Sequence, residues 1–323
     1  MTDFSSKTTA EIAALTSTEV ASMSSQDLAA LSTAQIAALT AQQIGWVKAA
    51  SLKGLGDAQV VALTTAQAAA LGSAQLAALT TAQVAAMETA DLAALSATGV
   101  AGLTSAQLGG LSTGQVAALT TAQVAALSSV AVKGLGSLQA SGLTTAQVAA
   151  LSTAQLKSFS TAGMTGLGTA QIVALSSAQA AVLGSAQVAA LTTAQAAAME
   201  TADLAALTSV AVKGLSSTQV GGLTTAQVAA LTTAQLDALS TGALKGLTTA
   251  QVVALTTAQA AGLGSAQVAG LSSAQIAALE TADLAALSTA GLKGLGSAQA
   301  AGLTTAQVAA LTTAQVGQLS SAA

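Results

Sequence analysis

The stretch LTTAQVAALTTAQ, residues 223–235, contains the pattern that decides the fold. It holds one complete octad, LTTAQVAA, and the first letters of the next. Steps of eight from Leu15 to Leu319 meet 39 positions, all apolar, with no insertion or deletion between them. An unbroken register indicates that each octad packs against others in a fixed geometry, which is typical of a solenoid. We number the consensus L-[ST]-[ST]-A-Q-[VIL]-A-[AG] from position 1, the leucine, to position 8.

The composition excludes several classes of function. Charged residues make up 6% of the 323 residues and aromatic residues 1%, and the net charge is −4. Nucleic-acid binding needs a basic face and stacking aromatic rings, and both are missing. No apolar run reaches the 18 residues of a membrane-spanning helix. We expect no enzymatic activity, because the many Ser and Thr residues have no histidine to activate them.

The polar residues of each octad predict a short capped helix. In the octad from Leu303, Thr304 and Gln307 have the spacing of a capping box, and Leu303 and Val308 that of a hydrophobic staple. Eleven of the twelve acidic residues lie at positions 2, 3 or 5, and six of the eight lysines lie at position 7. This order suits the dipole of a helix in each octad. Five of those six lysines precede glycine, which we interpret as a helix stop.

We therefore predict an all-α fold, a narrow α-solenoid of short capped helices with one helix per 8-residue repeat. Positions 1 and 6 would line the core, and small residues at positions 4, 7 and 8 would allow close helix packing. Thr, Ser and Gln would form the outer surface. The alternative is a β-solenoid with 8-residue-based coils, since eight is an even number. Alanine, glutamine and glycine are poor strand residues, which favours the helical interpretation.

The predicted domain organisation is simple. Residues 1–14 form an N-terminal lead-in, residues 15–319 a single continuous solenoid of 39 octads, and residues 320–323 the C-terminal end. A partial 80-residue super-repeat is superimposed on the octads. That period is either a whole number of solenoid turns or only a unit of duplication. Its clearest markers are Lys53, Lys133, Lys213 and Lys293.

Three acidic pairs are candidate ligands for a cation. Each pair stands in an ETADLAAL phrase with the aspartate three positions after the glutamate, and two carboxylates with added carbonyl groups are a possible Ca²⁺ site. One pair supplies few ligands, so we favour the interpretation that the acids replace Thr and Gln in the capping box. The pairs are Glu88 and Asp91, Glu200 and Asp203, and Glu280 and Asp283.

Two aromatic residues are candidate contact anchors. Trp46 lies in the irregular stretch QQIGWVKAAS, and tryptophan is favoured at protein interfaces. Phe159 lies in the irregular stretch LKSFSTAGMTGL, at position 1 of its octad. Either residue is also explained by local packing. We expect no catalytic residue and no cofactor.

The octads resemble the L-[ST]-[ST]-x-Q-[VI] tracts of large bacterial surface and secreted proteins that are described as adhesin-like or haem-utilisation proteins. The resemblance covers nearly the whole chain from Ala10 onward. It implies an extracellular or cell-surface location and a structural or adhesive role. Haem binding is not carried over, because the chain has no His, Cys or Tyr to ligate the iron.

The ends of the chain favour self-association as the function. Glu11, Glu19 and Asp27 take the Gln position in the N-terminal octads, whereas QLSSAA at the other end is uncharged. An uncapped solenoid end favours end-to-end stacking. We expect a self-assembling structural protein of an extracellular bacterial filament, sheath or matrix fibre, with itself as partner, end to end and laterally. The alternative is a monomeric solenoid with a regular Thr/Ser face for surface or ice binding.

Overall fold

The computed structural model describes residues 3–319, and every regular element among them is a helix. The helices are four to seven residues long and follow the 8-residue period, so the predicted all-α fold is confirmed. No helix in this range is long and apolar enough to cross a membrane. The predicted end, residues 320–323, lies outside the described residues. The α-helices are Thr9–Ala13, Ser17–Ser22, Ser25–Ala30, Thr33–Ala38, Ala41–Trp46, Asp57–Val61, Thr65–Ala70, Ser73–Ala78, Thr81–Ala86, Thr89–Ala94, Ala97–Val100, Ser105–Gly109, Thr113–Ala118, Thr121–Ala126, Ser129–Val132, Ser137–Gly142, Thr145–Ala150, Thr153–Ser158, Thr161–Gly166, Thr169–Val173, Ser177–Ala180, Ser185–Ala190, Thr193–Ala198, Thr201–Ala206, Ser209–Val212, Ser217–Gly222, Thr225–Ala230, Thr233–Ala238, Thr241–Leu244, Thr249–Val253, Thr257–Ala261, Ser265–Gly270, Ser273–Ala278, Thr281–Ala286, Thr289–Leu292, Ser297–Ala301, Thr305–Ala309 and Thr313–Leu319, with a 3₁₀ helix at Ala49–Gly54.

The capping box starts the helices, as the sequence predicts. At Thr249–Val253 the hydroxyl of the N-cap Thr248 accepts the Gln251 N–H at 3.2 Å, and Gln251 Oε1 accepts the Thr248 N–H at 2.7 Å. Where glycine takes the N-cap position, the glutamine still accepts its N–H, as Gln75 does from Gly72 at 2.9 Å. These bonds satisfy N–H groups that the first turn of a helix leaves free.

Within each unit, helices that are three octads apart in the chain pack against each other. Thr249–Val253, for example, lies between Thr225–Ala230 and Ser273–Ala278. Three helices therefore complete one turn of 24 residues. The chain divides into two compact units, Met1–Leu167 and Gly168–Ala323, and the same spacing holds within each unit. A helix of six residues is unstable alone, so this packing supplies its stability.

The core consists of positions 1 and 6, as predicted. Val228 and Leu231 are 0% and 3% exposed, and the equivalent residues of the other octads are buried in the same way up to Leu295. Burial of a valine or leucine side chain contributes about 1.5–3 kcal/mol. Two other predictions are wrong. Alanines at positions 4 and 7 are mostly exposed rather than packed between helices, and Gln at position 5 is buried rather than on the outer surface.

Glycine at position 8 allows one turn to approach the previous one. A Cβ atom on Gly134 would lie 1.9 Å from the carbonyl oxygen of Ser105, a backbone atom of the preceding turn. The same clash is found for Gly54, Gly214 and Gly294, each after a position 7 lysine. No residue in the described range has a positive φ. The lysines before Gly134, Gly214 and Gly294 are helix C-caps, so these helices end at the glycine as interpreted. No left-handed conformation is involved, and close backbone approach is what requires the glycine.

The 24-residue turn also answers the question raised by the 80-residue period. Eighty is not a multiple of 24, so residues 80 apart lie on different columns of helices. Within the first unit this separates Lys53 from Lys133, and within the second it separates Lys213 from Lys293. The super-repeat therefore does not place equal residues on one face, which favours duplication as its origin.

Candidate functional site

The side chain at position 5 connects consecutive turns of each solenoid unit. Gln251 is 2% exposed, and its Oε1 accepts the N–H of its own N-cap. Its Nε2 donates to the carbonyl oxygens of Val220 at 2.9 Å and Leu223 at 2.6 Å. Those carbonyls lie 31 and 28 residues earlier, at positions 6 and 1 in the preceding turn. One amide group therefore caps two helices and joins two turns.

This pattern recurs along both units. Each hydrogen bond contributes about 1 kcal/mol net, and a buried carbonyl left without a donor costs about 1–3 kcal/mol. We call this series of position 5 hydrogen bonds the glutamine ladder. It holds consecutive turns together by many small contributions to stability. Glutamines that donate to both carbonyls, 31 and 28 residues earlier, are Gln35, Gln43, Gln59, Gln67, Gln75, Gln83, Gln107, Gln123, Gln147, Gln155, Gln219, Gln227, Gln235, Gln251, Gln259, Gln275, Gln299 and Gln307.

The sequence carries a signal for this role that the capping argument alone overlooks. A capping box needs only an acceptor at its third helical position, and glutamate there would also suit the helix dipole. Most octads nevertheless have glutamine. An uncharged side chain that both accepts and donates is needed when the amide faces carbonyl groups.

Acids take position 5 throughout the first turn of the structure. Glu11, Glu19 and Asp27 are not buried, and each accepts the N–H and hydroxyl of its N-cap, as Glu11 does from Thr8 at 2.7 and 2.8 Å. The N-cap N–H, and next its hydroxyl, lower the pKa of all three carboxyls below their ordinary values. These side chains act as helix caps only, since they donate nothing.

The predicted cation ligands divide into exposed and buried members. Asp91, Asp203 and Asp283 are 3%, 2% and 2% exposed, whereas the glutamates three residues earlier are exposed N-caps without a side-chain capping bond. The interpretation of Glu88, Glu200 and Glu280 as Thr-like caps is therefore wrong. These glutamates are N-cap residues by position, but their side chains accept no N–H of the first helical turn. Within residues 3–319 no three His, Cys, Asp or Glu side chains form a metal-ligand group, so each pair offers two carboxylates at most.

Trp46 lies on the surface of the first unit, at position 8 and half-buried. Its ring lines a shallow groove with Ser17, Ser22 and Lys48. The 3₁₀ helix Ala49–Gly54 follows, and there the buried Ser51 replaces glutamine. Its hydroxyl donates to the carbonyl of Met23, 28 residues earlier, at 2.8 Å. A single short bond thus takes the place of the glutamine ladder in this irregular octad.

Phe159 belongs to the core of the first unit. It is 3% exposed at position 1, so its ring does not reach the surface as a contact anchor would. A Cβ atom on Gly163 would lie 2.6 Å from the ring and 2.7 Å from the carbonyl oxygen of Leu135. The octad has glycine instead of glutamine at position 5, which leaves space for the larger position 1 side chain.

Comparison with known families agrees with this repeat. The family model of the ALTTAQ repeat matches residues 20–47, 84–121, 116–153, 145–176, 161–193, 196–233, 228–265 and 276–313. These matches cover well over half of the sequence, and the chain belongs to the ALTTAQ repeat family. No curated protein matches the chain.

Proposed function

We propose that this member of the ALTTAQ repeat family is a structural protein that associates with further copies of itself through the sparsely charged flanks of its solenoid units, the surfaces formed by positions 2, 3, 4 and 7. The observation that carries the proposal is the division of polar groups between interior and surface. The buried amides of position 5 are used to join turns. Positions 2, 3, 4 and 7 are mostly exposed and consist mainly of Thr, Ser and Ala.

The flanks are suited to contact with an identical flank. Charged residues are 6% of the chain, so little charge repulsion opposes association. The aliphatic side chains with the highest exposed fractions occupy position 4, where the consensus has alanine. Val130, Leu138 and Val210 are 64%, 60% and 63% exposed. In the proposal, each of these side chains inserts singly among the small side chains of a neighbouring copy.

The first turn favours lateral over end-to-end contact. Its position 5 side chains are carboxylates, and an ionised carboxylate has no hydrogen to donate to the carbonyls of another turn. A copy stacked on this turn would leave those carbonyls without donors. In the proposal, fibre or sheath growth therefore proceeds side by side. The extracellular bacterial setting rests on the resemblance to tracts of large surface proteins.

Light scattering and negative-stain electron microscopy over a concentration series test the proposal. We expect oligomers or fibres that increase with concentration. The triple variant Val130→Ala, Leu138→Ala and Val210→Ala restores the consensus and should assemble less while it keeps its helix content. Monomers at every concentration for the parent chain would contradict the proposal.

The second candidate function is surface or ice binding by a monomer. It is favoured by the exposed hydroxyl side chains at positions 2 and 3, which recur with every 24-residue turn. Glycine and glutamate interrupt position 2, for example at Gly72 and Glu88, which weakens a lattice match. A monomeric chain that lowers the freezing point or adsorbs to a crystal surface would support this function over the first.

A further inference from the structure

Three buried aspartates occupy position 5, where a glutamine of the ladder would donate hydrogen bonds to the preceding turn. Asp91 lies in the first unit, and Asp203 and Asp283 lie in the second. One carboxylate oxygen of each, Oδ2, is buried and has no hydrogen-bond partner. Nearly all buried polar atoms of folded proteins have a partner, so three equivalent exceptions at one repeat position require an explanation.

By analogy with the glutamine ladder, we infer which carbonyls these oxygens face. A position 5 glutamine donates to carbonyls 31 and 28 residues earlier. For Asp91 that spacing gives the carbonyls of Val60 and Leu63. An ionised aspartate only accepts hydrogen bonds, whereas a protonated carboxyl group has one O–H to donate. The corresponding carbonyls are those of Ile172 and Leu175 for Asp203, and of Val252 and Leu255 for Asp283.

No cation stands in the elements packed against these aspartates. The helix Thr89–Ala94 packs between Thr65–Ala70 and Thr113–Ala118, and neither neighbour contains a charged residue. The same is true of the neighbours of Thr201–Ala206 and Thr281–Ala286. The N-cap residue three positions earlier is in each case a glutamate, which is also an acid. The neighbouring helices are Ser177–Ala180 and Thr225–Ala230 for Asp203, and Thr257–Ala261 and Thr305–Ala309 for Asp283.

We propose that Asp91, Asp203 and Asp283 form a proton-sensitive joint at which consecutive turns are weakly held when the carboxyl groups are ionised and firmly held when they are protonated. The only chemical step is the transfer of a proton from solvent to the carboxylate. The resulting O–H donates to one carbonyl of the preceding turn, whereas the two N–H groups of a glutamine amide reach both. Ser177 Oγ already donates to Oδ1 of Asp203 at 2.7 Å, which leaves Oδ2 for this role.

The direction of the pH effect follows from the environment. Burial, and next the charge of Glu88, raise the pKa of Asp91 above its ordinary value. A carboxyl with a raised pKa binds a proton more tightly in the folded state, so stability increases as the pH falls through that pKa. The acids of the first turn have lowered pKa values and remain ionised over the same range. Asp91 is therefore separable from the first-turn acids by pH.

Thermal unfolding of the full chain between pH 7.5 and pH 4.5 tests the proposal. The variant Asp91→Asn, Asp203→Asn and Asp283→Asn places an uncharged donor at each joint. Asp237→Asn is the matched control, because Asp237 is exposed at position 7. We expect the triple variant to melt above the parent at neutral pH, by roughly 2–4 °C for each site. The difference should shrink towards zero as the pH falls, and the control should follow the parent.

Two results would overturn the proposal. One is a constant difference in melting temperature between parent and triple variant across the pH range. The other is a parent chain whose melting temperature rises with added Ca²⁺ at neutral pH but is insensitive to pH, since a cation rather than a proton would then fill the joint. A calcium titration of both chains at pH 7.5 distinguishes these cases.

Discussion

Position 5 of the first turn and position 5 of the interior make different demands on the same kind of side chain. Asp27 is not buried and accepts the Ser24 N–H at 2.8 Å, whereas Asp91 is 3% exposed and has an unpartnered oxygen. A glutamine at position 5, or an acid in the first turn, caps its own helix by accepting the N-cap N–H. Only the position 5 side chains with a turn before them must also donate to it. The comparison shows that the preceding turn, rather than the helix itself, determines whether position 5 needs an amide or can have an acid.

Replacing an interior position 5 glutamine with glutamate, the residue type of the first turn, should have the largest effect on stability. Gln251→Glu keeps the acceptor for Thr248 but sets a buried carboxylate against the carbonyls of Val220 and Leu223. An unpaired buried charge costs about 3–5 kcal/mol. Urea unfolding at pH 7 should show a loss of that size. Glu19→Gln, the reverse exchange in the first turn, should change stability little. Equal effects of the two exchanges would contradict the comparison.

Gly134→Ala tests whether stability also depends on close backbone packing against the preceding turn. The added Cβ meets the Ser105 carbonyl, so we expect a loss of about 1–3 kcal/mol from overpacking. Gly114→Ala is the matched control, because a Cβ there has no heavy atom within 4 Å. That change should be neutral, or stabilising by about 0.5–1 kcal/mol. Equal denaturation midpoints for the two variants would count against close stacking.

These two sites also show how much the sequence can predict. The Thr–x–x–Gln spacing and the unbroken octads predict the helices, their caps and the core at positions 1 and 6, because those features are local or periodic. The burial of Gln251 and the role of Gly134 depend on three helices per turn. Spacing within one octad does not contain that number. The sequence therefore predicts an exposed Gln251, wrongly, and predicts close packing at Gly134 without the neighbouring turn that requires it.

The N-cap threonines should behave alike in both regions, since their bonds stay within one helix. Thr248→Ala and Thr16→Ala each remove one acceptor for a backbone N–H, with an expected cost of about 1 kcal/mol. Thr249→Ala, one residue further along, keeps the cap and is the control. Thermal unfolding of the three variants measures the effect. A cost found only in the interior would show that the cap also depends on stacking.

The smallest expected effect concerns the first-turn acids. Because their pKa values are lowered, their contribution is complete above the unfolded-state pKa and is lost as the pH falls through the folded-state pKa, below about pH 4. The melting temperature of the triple variant Glu11→Gln, Glu19→Gln and Asp27→Asn should fall less steeply than that of the parent between pH 5 and pH 2. An equally steep fall would show that these carboxylates do not cause the loss of stability in acid.

Hydrogen–deuterium exchange of the Gln251→Glu chain at neutral pH, followed by mass spectrometry of its peptides, tests the central claim most directly. If position 5 joins turns, protection should fall in two separate segments, one around residue 251 and one around Val220 to Leu223, 31 to 28 residues earlier. The first turn should be unchanged. Loss of protection confined to residues 248–255 would contradict the account, because the glutamine would then serve only its own helix.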